Sequence, residues 1–340
     1  MTEAERAAHV LTLSHPADLL DLVPYLLGFH PAESLVLIGI DGCRVAVTVR
    51  IELLDTGSEL YERMLEILDR SGVTSVAVLV YTAMPGAPAE LPYRDLVSEL
   101  TAVVRNGCLD VVEALLTTDE AWWSYLDPTR AGSRHASSVK ASAAAAAATY
   151  AGLVAMPNRQ ALTGILTPDS DEVRASLLIE IAELENAAVQ AALAGRRLRH
   201  QRSAKRAIFA AARAADLVVV GTGESPPATE ICRFAVALAD TAVRDAVWMA
   251  IDQGRIHGDR LWLELLRTLP PPYDAAPLFL YGWAAWRRGN GILGRAAAER
   301  AQVSDPTYTA AQLLMSAIDH GLDPFRTPKL RMPKPPGRPR

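Results

Sequence analysis

From residue 35 to residue 116 the chain alternates short apolar runs rich in branched side chains with longer stretches of helical period. That is the pattern of a layered α/β domain. Residues 35–40 and 45–53 read as strands joined at Asp41-Gly42, a favoured hairpin dipeptide. Residues 59–71 carry Leu60, Met64, Leu65 and Leu68 at helical spacing, and 76–81 reads as a buried strand. A second round follows, with a helix over 93–105 and a strand over 109–117. The hairpin predicts a mixed sheet whose later strands run parallel, because helices link them.

Beyond Trp122-Trp123-Ser124-Tyr125 the strand formers thin out and alanine takes over, so the chain from about residue 142 is predicted to be all helical. Thr167-Pro168-Asp169-Ser170-Asp171-Glu172 combines a cap residue, a first-turn proline and carboxylates suited to the positive helix end. A long helix should start there, with Val173, Leu177, Leu178, Ile181 and Leu184 as its apolar stripe. Further helices are indicated over 227–240, 243–251, 259–268, 277–288, 291–301 and 307–320. The expected division is an α/β domain over 10–135, a helical domain over 136–325, and a basic tail over 326–340. The tail has six cations among five prolines and no acid, and is expected to lack structure.

With 340 residues, half of them apolar, two packed domains are the natural expectation. The formal net charge of −5 argues against a general nucleic-acid coat. Cys43, Cys108 and Cys232 are far apart, so neither a disulfide framework nor a metal site is indicated, and no cofactor is implied. The first nine residues are too polar for a signal peptide and no apolar run is long enough to span a bilayer. The expected setting is the cytoplasm, without membrane association.

The candidate chemistry is diffuse. His30, fixed between Phe29 and Pro31 before the first strand, could act as acid or base with Asp18 orienting it and Arg50 holding an anion. His15, Tyr25 and Ser34 lie close by in sequence. The competing reading is that Asp18 or Ser14 caps a helix ended by Gly28, and that His30 bonds to backbone. Trp122 and Trp123 could wall a ligand site or fill a domain interface. The glycines in residues 218–225 suggest a phosphate loop but lack a Walker lysine, so a plain connection competes. Arg196, Arg197, Arg199, Arg202, Lys205, Arg206 and Arg213 would form a positive ridge on a helix. Pairing with Glu180, Glu183 and Glu185, or simple solvation, is the favoured explanation, and phosphate binding the minority one.

Two compact segments are more specific. The first is His15-Pro16-Ala17-Asp18 with residues 25–31. The second is residues 277–291, continued by Glu299-Arg300-Ala301 and Asp305-Pro306-Thr307-Tyr308. Together they resemble an actinobacterial family, domain of unknown function 4192, from about Ser14 to Pro324. The resemblance implies architecture and no reaction. It also touches Val243-Arg244-Asp245-Ala246 and Leu261-Trp262. The closely spaced cysteines of that family have no counterpart here. The second segment also resembles a single tetratricopeptide-like helix pair, in which Asn290 and Arg300 are candidate ligand contacts. The leading expectation is a non-catalytic module that binds a small molecule or a protein partner. The first alternative is an enzyme acting on an anionic metabolite through His30, Asp18 and Arg50 or Arg300. The second is weak nucleic-acid association through the basic helix, with nucleic acid otherwise disfavoured as a partner.

Overall fold

The computed structural model describes residues 15–53, 57–86, 90–127, 129–134, 143–150, 154–217 and 226–331. The glycine-containing segment 218–225 and the last nine residues of the basic tail lie outside them. The chain divides into two compact units, one comprising residues up to 162 together with 320–323, the other 163–319 together with 324–331.

The first unit opens with α1 (Pro16–Leu27). Pro16 occupies the first turn, where its missing N–H costs nothing, and the Asp18 carboxylate takes the His15 backbone N–H at 2.9 Å. Gly28 ends the helix in the left-handed region at φ 81°, a conformation that glycine adopts without strain. Then follow β1 (Ser34–Asp41), β2 (Arg44–Glu52), α2 (Ser58–Arg70), β3 (Ser75–Tyr81), α3 (Arg94–Asn106) and β4 (Asp110–Thr117). Two short strands come next, β5 (Ala121–Ser124) and β6 (Ala131–Ser133). Among the described residues the six form one mixed sheet in the order β2-β1-β3-β4-β5-β6. Among neighbouring strands β3 and β4, joined through α3, are the parallel pair; α2 likewise returns the chain from β2 to β3, but the antiparallel β1 lies between those two.

Alternation along the strands sends Leu35, Leu37, Val78, Val80 and Leu116 to the face covered by Met64 and Leu68 of α2 and Leu100 and Val104 of α3. The opposite face carries Val36, Ile38, Leu79 and Leu115, all fully buried. There β4 meets α1, and the Tyr81 hydroxyl donates to the Leu20 carbonyl. Helix α4 (Ala143–Tyr150) packs against α1, and α5 (Arg159–Gly164) straddles the division between the units.

The second unit is helical: α6 (Asp171–Ser176), α7 (Leu178–Leu193), α8 (Arg197–Leu217), α9 (Ala228–Ala239), α10 (Thr241–Asp252), α11 (Asp259–Thr268), α12 (Ala275–Arg287), α13 (Gly291–Ser304) and α14 (Thr309–Asp319). The helix expected to open at Pro168 begins three residues later, capped by the Ser170 hydroxyl. Asp169 is instead drawn away to the Thr268 hydroxyl. The expected long helix is also broken at Leu177, so Val173 and Leu178 are exposed while Leu177 and Ile181 are buried.

Residues 275–286 of α12 are buried on every side, which is the environment an all-apolar helix requires. It pairs closely with α13 because Gly282 faces Gly294. A Cβ on Gly282 would stand 3.1 Å from the Gly294 carbonyl oxygen and 3.0 Å from the Ala297 Cβ. Gly282→Ala should therefore force the helices apart and cost about 1–3 kcal/mol, read from urea denaturation. An unchanged midpoint would show that the hairpin has slack.

Residues 326–331, the first part of the segment expected to lack structure, are held along this unit. Arg287 donates to the carbonyls of Pro324, Thr327 and Pro328, while Asp252 accepts the Leu330 N–H and Gln253 donates to its carbonyl. Arg287 can do this because its guanidinium lies 5.5 Å from the ring centres of both Trp283 and Trp286, with its charge balanced by Asp252 at 2.6 Å.

Candidate functional site

The registers of the sheet place one residue from each strand in a single row at the end where β3 and β4 finish. Glu52 lies opposite Ser34, Ser34 opposite Tyr81, Tyr81 opposite Thr117, Thr117 opposite Trp122, and Trp122 opposite Gly132. Directly opposed residues share a face, so Glu52, Ser34, Tyr81, Thr117 and Trp122 project to the side on which α1 lies. Ligands of open α/β sheets commonly bind beyond the carboxyl ends of parallel strands, where this row stands.

Side chains from the flanking segments close on the row. Arg134, just past β6, donates to the Thr117 hydroxyl at 3.1 Å and to buried Asp21 of α1 at 2.9 Å. Burial pushes the Tyr81 hydroxyl well above its ordinary pKa. Arg50 donates to the Ser34 hydroxyl at 2.9 Å and to Glu52 at 2.6 Å, and its guanidinium lies 5.8 Å from the centre of the Phe29 ring. Glu33 stands in the left-handed region at φ 42°, unusual for a residue with a side chain. Its carboxylate collects the Thr82 hydroxyl and the Ala83 N–H.

His30 follows Phe29 and is fixed by its backbone N–H to the Met156 carbonyl at 3.0 Å. Its imidazole is exposed on one side and hydrogen-bonds to no described residue. Partial burial, and then the positive charge of Arg134, hold its pKa below the usual 6.5. The ring is accordingly neutral at pH 7, with one nitrogen able to donate and the other to accept. Expected on titration by proton NMR is a His30 midpoint under 6.5 that rises in Arg134→Gln, though not fully, since burial is the larger cause. A folded-state pKa below the unfolded one adds stability that is complete above pH 6.5 and is lost as pH falls through the lowered value. A midpoint that ignores Arg134 would remove the pairing from the site.

Of the residues expected from sequence, His30, Arg50 and Trp122 lie towards this sheet end, but Arg50 on β2 and Trp122 on β5 are four strand spacings, about 19 Å, apart. Asp18 does not join them: it closes the first turn of α1, and about 15 Å of helix separates it from Gly28. Tyr25 is half-buried on the last turn of α1. Trp123 projects to the other face, against the core beneath α2 and α3, as successive strand residues must. Asn290 and Arg300 belong to the helical unit. The Asn290 side chain caps α13 by accepting the Leu293 N–H, and Arg300 donates to the Leu266 carbonyl beside buried Asp274. The residues missed were Asp21, Glu33, Thr82, Thr117 and Arg134. Asp21 alone left a mark, as an acid within an apolar run.

Among the described residues no group of three or more histidine, cysteine, aspartate or glutamate side chains is placed to hold a metal ion, and no helix is long and apolar enough to cross a membrane. Neither curated proteins nor solved structures yielded a match to the chain. The family model described as a domain of unknown function, DUF4192, matches residues 16–325 and so takes in the sheet-end row and the α12–α13 hairpin with Arg287. By that match over nearly its whole length, the chain belongs to the DUF4192 family.

Proposed function

We propose that the protein is a non-catalytic binding module whose α/β unit takes a small polar ligand at the sheet end bordered by His30, Arg134 and Trp122. The observation that carries this is the row of side chains crossing the whole sheet beyond the carboxyl ends of β3 and β4, with a neutral imidazole beside it. Ligand sites fix orientation and specificity with a small number of placed polar groups.

Charge defines the ligand further. Arg50 is matched by Glu52, Arg134 by Asp21, and Arg300 lies against Asp274, so the guanidiniums expected to receive an anion already have carboxylate partners. A ligand of little net charge fits this balance better than an anionic metabolite. The enzyme alternative is weakened by the same geometry, since Asp18 is far from the imidazole it would orient.

The test is native mass spectrometry of the purified protein. A small molecule should remain bound to the wild type and be lost from His30→Ala, while the melting temperature stays within about 1 °C because the ring is exposed and unbonded. Retention of the bound mass by His30→Ala and by Trp122→Ala alike would remove the proposal, as would its absence from the wild type.

A further inference from the structure

Helix α8 carries six lysines and arginines over residues 197–213, with Arg196 just before it, in a stretch with no acidic residue between Glu185 and Asp216. At 100° per residue, Arg199, Arg202, Arg206 and Arg213 fall within a sector of about 60°. Gln201, Ile208 and Ala212, the buried residues of the helix, point to its other flank. All four arginines are exposed. Among the described residues none of the four lies within ion-pair distance of a carboxylate, and only Arg197, off the stripe, reaches Asp240 at 3.5 Å.

Two of the three acids expected to neutralise this ridge are engaged elsewhere. Glu185 accepts the Tyr273 hydroxyl at 2.9 Å, and Glu180 lies by buried Cys232, whose thiol is pushed up to about 11 chiefly by burial. A run of like charge on a stable helix, repelling itself by several side chains, is therefore left facing solvent. Arg199 to Arg213 spans about 21 Å of helix axis, comparable with six base pairs at 3.4 Å each.

We infer that this stripe is a docking surface for the sugar-phosphate backbone of a nucleic-acid duplex, read without regard to sequence. Guanidinium forks match phosphate oxygens in pairs, which favours arginine over lysine at such a surface. The one phenyl ring near the stripe, Phe209, is half-buried at its edge, so the arginines lack the run of exposed aromatic faces on which successive bases of a single strand stack. Its exposed apolar side chains, Leu198 and Leu217, stand at the two ends of the stripe, whereas protein interfaces draw their affinity from large apolar anchors near their centres and are depleted of charge there. The negative total charge does not oppose this, because the field at the stripe is set by nearby charges within about 10 Å.

The experiment is a fluorescence-anisotropy titration of the full chain with a labelled DNA duplex of random sequence at several salt concentrations, with a single strand and poly-glutamate as comparison probes. Four phosphate contacts give a slope of log affinity against log salt near −3.6, with a dissociation constant of roughly 10⁻⁴ to 10⁻⁶ M near physiological salt. Changing Arg199, Arg202 and Arg206 together to alanine should reduce the slope by about 2.7 and abolish measurable binding at that salt. The far-UV spectrum should hold, since alanine is the best helix former. The triple lysine variant should keep most of the slope. No duplex binding at low salt, binding that the alanine variant retains, or poly-glutamate bound as tightly as the duplex would each overturn the inference.

Discussion

Replacing Asp274 with alanine is expected to be among the most damaging single changes in the helical unit. The residue is 2% exposed, its carboxylate lies 2.8 Å from Arg174 and 3.5 Å from Arg300, and it accepts the Ser304 hydroxyl. The same two arginines also close the end of α11, where Arg174 donates to the Leu269 carbonyl and Arg300 to that of Leu266. Those are acceptors that a helix terminus cannot satisfy internally. Without Asp274, partly buried Arg300 loses its carboxylate and buried Arg174 keeps only the exposed Asp171 at 3.8 Å, and removing one partner of a buried pair costs about 3–5 kcal/mol. Burial is strong enough to hold the Asp274 carboxyl above its ordinary pKa despite both arginines. Stability linked to this proton is lost as pH rises through the raised value, while above it the ionised carboxylate supplies the counter-charge to both arginines. Urea denaturation followed by tryptophan fluorescence measures both effects. Asp274→Ala within 1 kcal/mol of wild type, or a pH slope surviving in Asp274→Asn, would contradict this account.

The second large effect is expected at Trp283. Its ring is 4% exposed and meets Trp248 edge-on at 5.0 Å and Trp286 at 4.9 Å, while its indole N–H donates to Asp252 at 3.0 Å. Truncation to alanine removes a large buried volume and one of the donors that satisfy a fully buried carboxylate. About 3–5 kcal/mol should be lost, and Trp286→Ala should follow closely. If either variant instead kept full stability, the aromatic cluster would be a binding surface rather than a core.

Much of this architecture was legible along the chain. Helices α9 to α14 and strands β1 to β4 were visible because each repeats its apolar positions at one period over several turns or pleats. Strands β5 and β6 were not, since three or four residues containing alanine, glycine and serine carry no period. The start of α6 was misjudged because Pro168 and Ser170 are both legitimate openings, and only the pull of Thr268 on Asp169 separates them. The sheet-end site escaped for a different reason. Asp21 and Arg134 are 113 residues apart, and strand register, which no spacing along the chain reveals, brings Glu52, Ser34, Tyr81, Thr117 and Trp122 into line. Asp18 drew attention as a carboxylate near His30, yet one turn further on it is Asp21 that reaches the site. The Arg287 clamp was hidden likewise, because it recognises main-chain carbonyls and so leaves no trace in the identities of residues 324–328.

The inclusion of residues 320–323 in the α/β unit bears on how the protein is made. Gly321 packs directly on Ile67, where any Cβ would come within 2.8 Å of the isoleucine, and Asp323 pairs with Arg44 at 2.7 Å. Residues 1–162 leave the ribosome first, and at about 5–20 residues per second the piece that completes their packing arrives roughly 8–30 s later. Throughout that interval the helical unit is being synthesised while the β1–β2 hairpin and α2 await their final contacts. A nascent chain stalled anywhere in the helical half should therefore show Ile67 open to solvent and α2 exchanging its amide hydrogens faster than in the released protein.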